Sequence, residues 1–158
     1  MVSGMEIDDE FGDYDERAEW GLRRYVCRIA TALGVGPESV CCELERPANG
    51  YLALDERLPD YPWRDVALVW DAVHGWAVGF ETGSGEDLLM FAYLGEDVLP
   101  EPERVVTFTK EVLAGHAAGQ SSARPLANEN LTTRLIRYSH QDELSSVNTA
   151  APDMRGQL

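Results

Sequence analysis

His74 stands three residues after Asp71 and directly before Gly75-Trp76. A histidine held by a carboxylate can serve as a general base, so Asp71 and His74 are the pair on which a small hydrolase or ligand-binding enzyme would be built. The same residues also spell a turn, since Asp and His suit a polar loop and Gly75 supplies the positive φ of a tight reversal. The turn is the better reading, because turn residues rarely carry chemistry without further partners. His116 and His140 fall at a helix end and in the C-terminal tail, so no pair of histidines has metal-ligand spacing. Cys41-Cys42 could be a vicinal redox pair, but neighbours on a strand face opposite ways. No histidine or cation lies near them in sequence to lower a thiol pKa.

The acidic pairs Asp55-Glu56, Glu86-Asp87 and Glu96-Asp97 match no calcium-loop pattern. Gly83-Ser84-Gly85 is followed by Glu86, whose charge opposes phosphate, so it is no phosphate loop. Catalytic, cofactor and metal residues are therefore expected to be absent. The aromatics are the stronger candidates. Trp70 and Trp76 fall in strands, where core packing is the default, whereas Trp63 sits between Pro62 and Arg64 in a segment that cannot be a central strand. An exposed Trp is an interface anchor more often than chance allows. Trp63, Arg64, Tyr51 and His74 are the candidate interaction residues.

The elements that must position them follow from periodicity. From Asp15 onward, Leu22, Val26, Ile29 and Leu33 form one helical stripe. Gly34 stops that helix and Gly36-Pro37 prevents its restart. Val40 to Glu45 alternates as a half-exposed strand, and Asn49-Gly50 reads as a turn into Tyr51–Leu54. Leu58 to Pro62 must be loop. Val66–Trp70 and Trp76–Thr82 flank the His74-Gly75 turn as a hairpin. Leu88 to Leu94 is apolar on both faces, which suits a central strand. Pro102 opens a second helix with Val105, Phe108 and Val112 as its stripe, and Gly115 ends it.

These elements predict an α+β, two-layer sandwich: an antiparallel sheet of four to five strands with a helix before and a helix after, both packed on one face. Residues 1–14 read as an acidic flexible arm, and residues 15–116 as a single domain. Residues 117–158 read as a mostly disordered tail, with linker chemistry over Gly119–Pro125 and one short helix at 129–138 carried by Leu131, Leu135 and Tyr138.

The net charge of −15 lies in the first 115 residues, while residues 116–158 are neutral. Such a field repels nucleic-acid backbones and anionic lipid and draws basic surfaces. With a single Lys and scattered Arg, direct nucleic-acid binding is not expected. No apolar run reaches the roughly 20 residues that span a bilayer. Three Cys, two of them adjacent, suit no disulfide framework, so a cytoplasmic protein with reduced thiols is expected.

Several segments are similar to a known family: Leu33-Gly34-Val35, Tyr51-Leu52-Ala53-Leu54-Asp55, Leu68-Val69-Trp70-Asp71, His74-Gly75-Trp76-Ala77 and Leu99-Pro100. They resemble a group of small, acidic, cytoplasmic actinobacterial proteins known only as a domain of unknown function. The resemblance covers roughly residues 20–115. It implies no catalytic or binding residue, because that family has no assigned activity.

The expectation is a non-enzymatic protein–protein interaction or regulatory module that binds through its open sheet face or edge. The rival is an acidic inhibitor of a basic partner, either an immunity-type protein or a nucleic-acid mimic, with its carboxylates gathered on one folded surface. A protein partner is expected, no membrane is involved, and a homodimer is left open.

Overall fold

The apolar runs between Val40 and Tyr93 pair as one antiparallel sheet, in the order in which they occur along the chain. Its strands are β1 (Val40–Glu43), β2 (Asn49–Leu54), β3 (Val66–Asp71), β4 (Gly75–Glu81) and β5 (Leu88–Tyr93). Helix α1 (Val2–Leu33) precedes the sheet, helix α2 (Pro102–Leu113) follows it, and residues 131–140 form a third helix, α3. This computed structural model describes residues 2–43, 48–83 and 87–140, with the backbone alone over 2–15. The α+β class and the single antiparallel sheet are those predicted.

The described residues divide into two compact units, those within 2–25 together with 130–140, and those within 26–129. In the larger unit, strict alternation sends one set of side chains to the helices. Leu52, Leu68, Val78 and Ala92 lie in cross-strand line, and Trp70 pairs with Trp76 one row away. All six are buried, as are Val26, Ile29, Val105, Phe108 and Val112 from the two helices. Leu33, at the end of its stripe, is only half-buried. The Trp70 indole N–H donates to the Val98 carbonyl at 2.6 Å, which satisfies its one polar atom inside the core.

In the smaller unit, α1 and α3 meet at Gly21. A Cβ there would stand 1.7 Å from the Leu135 carbonyl oxygen, so only glycine permits this backbone approach. Leu22, Leu135 and Tyr138 are buried, and the Tyr25 and Tyr138 rings lie 4.8 Å apart between centroids. The short pattern in the tail is therefore a helix with a partner.

Four expectations need correction. β5, predicted to be central, is the edge strand, and its two-sided apolarity is left partly in solvent at Leu89 and Phe91. Asn49-Gly50, predicted as a turn, lies within β2. There Gly50 pairs with Cys42 and Trp70, and a Cβ on it would come 3.4 Å from Val26 Cγ2, so helix–sheet packing explains that glycine. The helix predicted from Asp15 begins at Val2, so residues 2–14, expected as an arm, have helical backbone continuous with it. Gly119–Pro125, expected as linker, runs alongside the sheet. Tyr93 and Gln120 exchange both backbone hydrogen bonds at 2.7 Å, and Gly119 has φ +71. Leu44 and Glu45, expected to extend β1, lie outside the described residues.

Candidate interaction surface

The β3–β4 hairpin shows what Asp71 and His74 do. Asp71 pairs with Gly75, whose φ is +74, leaving a three-residue loop of the type closed by a left-handed glycine. Asp71 Oδ1 accepts from the backbone N–H of Val73 at 2.8 Å and of His74 at 2.7 Å. The carboxylate thus organises the turn, as an Asx residue does. His74 Nδ1 stands 3.3 Å from Asp71 Oδ2, and both side chains are about two-fifths exposed. The chain's own segment then seals the loop: Leu126 N–H donates to the Val73 carbonyl, and the Asn128 amide to that of Ala72. The pair is accounted for by turn architecture.

The four sequence candidates do not come together. His74 lies beyond the C-terminal end of β3, whereas Trp63 and Arg64 precede its start. A strand of that length separates them by about 17 Å, at a rise of about 3.3 Å per residue. Tyr51 points to the sheet face away from the helices, in line with Val69 and Ala77. Burial first, then the nearby charges of Glu81 and Asp65, holds its phenol pKa above the ordinary 10.0. On the same face Met90 covers Gly79, with Cε and Sδ each 3.2 Å from where a Cβ would stand. On that face the small residues Ala67, Ala77 and Gly79 are buried, while Tyr51, Val69 and Met90 are half-buried. Cys41 and Cys42 lie side by side on β1, Cys41 exposed and Cys42 half-buried.

The surface that stands out was missed by sequence reasoning except at Trp63. At the Trp63 end of the sheet, on the helix side, the Tyr61 ring stacks on Phe80 at 4.4 Å between centroids and 16° between planes. Phe91 meets the other side of the cluster, edge-on to Tyr61 at 6.2 Å. Leu89 pairs with Phe80 across β4 and β5 and remains 55% exposed, while Phe91 is 38% exposed and Trp63 71%. The β4–β5 register shifts between Val78 and Gly79, so that Phe91 is the extra residue of a bulge. Bulges at sheet edges re-aim side chains, and this one delivers Phe91 to the lining of a cleft. The cleft measures about 500 Å³ and is walled by Leu58, Pro59, Asp60, Phe91, Val112 and His116, among others. No sequence signal marks a bulge. The available hint was the two-sided apolarity of Leu88–Tyr93 combined with Gly79 opposite it.

The charged groups tell less. Glu96 and Arg104 form a two-point pair, with Nε–Oε1 at 3.0 Å, and this hydrogen bond holds the Glu96 carboxyl below its usual range. Arg57 pairs with Asp65 at 2.8 Å, and Arg23 with Glu19 at 3.0 Å. Exposed acids occur at both ends of the sheet and on the helices, so they do not define one face. Among the described residues, no three His, Cys, Asp or Glu side chains gather as a metal site would require, and no helix is long and apolar enough to cross a membrane.

Residues 25–111, more than half of the chain, match the model of a family of unknown function, DUF6292. The chain belongs to that family. The matched segment takes in all five strands and nearly all of α2, and so contains Trp63, Leu89 and Phe91. No curated protein and no solved structure matches it.

Proposed function

We propose that this family member is a non-enzymatic interaction module, and that it engages a protein partner through the Trp63 end of the sheet. The observation that carries this reading is the exposure of Leu89 and Phe91 at the sheet edge, beside the buried Phe80 and the half-buried Tyr61, with Trp63 exposed in the same loop as Tyr61. Soluble folds usually bury large apolar side chains in such numbers, and contiguous exposed ones mark contact sites. Aromatic anchors beside a cleft are also what dominates binding energy at protein interfaces. The net charge of −15 favours a basic partner by steering and by suppressing like-charged ones. The predicted open face is the weaker candidate, because its centre is closed by its own side chains.

The test is quantitative capture from an extract of the source cells, comparing the wild-type chain with the Leu89→Lys/Phe91→Lys double variant and with Trp63→Ala. Trp63→Ala should stay folded, since exposed substitutions away from special features change stability by only about 0.5 kcal/mol. Phe91 packs edge-on against Tyr61 at a bulge, so circular dichroism checks the double variant, and Leu89→Lys alone replaces it if the native spectrum is lost. A set of proteins retained by the wild type and lost from the double variant supports the proposal. Identical recovery by all three chains would place the contact elsewhere.

A further inference from the structure

We infer that the β5 edge and the adjoining cleft receive an extended, basic segment of a partner protein, which adds to the sheet as a further strand and seats one apolar side chain against Phe91. The inference rests on the interaction reading above and names the recognition mode of that same surface. β5 is the outer strand of the sheet, and on its free side Gln120 pairs with it at Tyr93 alone among the described residues. The chain itself thus shows that this edge accepts an antiparallel neighbour. The remaining edge, Leu88 to Ala92, leads directly from that pairing past the mouth of the cleft, which Phe91, Ala92 and Gln120 all line. Strand addition supplies main-chain hydrogen bonds, while pockets for alternate side chains supply selectivity. A cleft of about 500 Å³ has the size of an ordinary ligand site, ample for one large side chain.

Charge selects the occupant. Asp60 lines the cleft and Asp87 is exposed at the head of β5, while no Lys or Arg is among the lining residues. A second copy of this chain would bring its own net charge of −15 to the same place, whereas a segment rich in Lys or Arg is drawn to it.

The experiment selects a displayed random dodecapeptide library on the immobilised full chain. A synthetic copy of the enriched sequence is then titrated by fluorescence anisotropy. Alternating apolar positions flanked by Lys or Arg are expected, with affinity falling at least about tenfold for Phe91→Lys and for Asp60→Lys. N-methylation of alternate peptide amides should cost as much, and Tyr51→Phe on the opposite face should cost nothing. If Phe91→Lys loses its native circular dichroism, Leu89→Lys takes its place. No enrichment, enrichment of acidic peptides, or indifference to both β5 substitutions and to N-methylation overturns the inference. Sedimentation velocity of the chain alone is the second arm: a dimer that Phe91→Lys dissociates would make a second copy the occupant and also overturn it. Should cellular capture depend on Leu89 and Phe91 while no extended peptide binds, the interaction reading stands and only strand addition fails.

Discussion

Gly21 and Tyr51 show how much a single position can decide. At Gly21 the α1 backbone touches the α3 backbone, and a methyl group has no space, since its carbon would sit 1.7 Å from the Leu135 oxygen. Gly21→Ala should therefore destabilise despite alanine's better helix propensity, with overpacking of about 1–3 kcal/mol outweighing a propensity gain of about 1 kcal/mol. Thermal unfolding decides between them, and a raised midpoint would mean that the helices are not in contact there. At Tyr51 the sign runs the other way from a carboxylate. Its folded pKa lies above the unfolded one, so the neutral phenol is favoured in the native state. Its contribution is intact below about pH 10 and is lost as pH rises through the folded value, because the unfolded chain ionises first. Ultraviolet titration should show one phenol ionising late, and Tyr51→Phe should remove that phase and flatten the alkaline loss of stability.

The elements were legible where one rule governed them. Leu22, Val26 and Ile29 repeat at helical spacing, Pro102 opens α2, and Gly75 closes a hairpin, and each of these appears as read. The readings that failed involve two requirements on the same residue. Asn49-Gly50 has turn chemistry, yet Gly50 is needed small beneath Val26. Gly119 has linker chemistry, yet its positive φ and closeness to the Tyr93 carbonyl let Gln120 reach the edge of β5. Leu88–Tyr93 has the composition of a central strand because its exposed side chains are also large. Tertiary placement, which a single sequence does not display, decided all three. Two stability changes follow. Ile29→Ala should cost about 2–5 kcal/mol, as expected of a fully buried branched side chain. Removing residues 130–158 should lower the denaturation midpoint by uncovering Leu22 and Tyr25, whose unit includes α3. An unchanged urea midpoint after truncation would show that α3 adds nothing.

For the whole molecule, the acidic charge and the placement of exposed apolar groups point to the same behaviour. Asp71 holds a turn and Glu96 is tied to Arg104, while Trp63, Leu89 and Phe91 are, with Trp20 on α1, the large apolar side chains left exposed among the described residues. If the partner is basic, its binding should weaken as salt rises, since exposed charges more than about 10 Å apart are screened at 0.1 M. The most direct test is hydrogen–deuterium exchange on the full chain, with and without a partner recovered by capture. Added protection should concentrate in residues 58–63, 88–93 and 115–121, with the His74 hairpin unchanged. Protection confined to β2 and β3, leaving β5 as it was, would contradict the account and return the binding surface to the face that carries Tyr51.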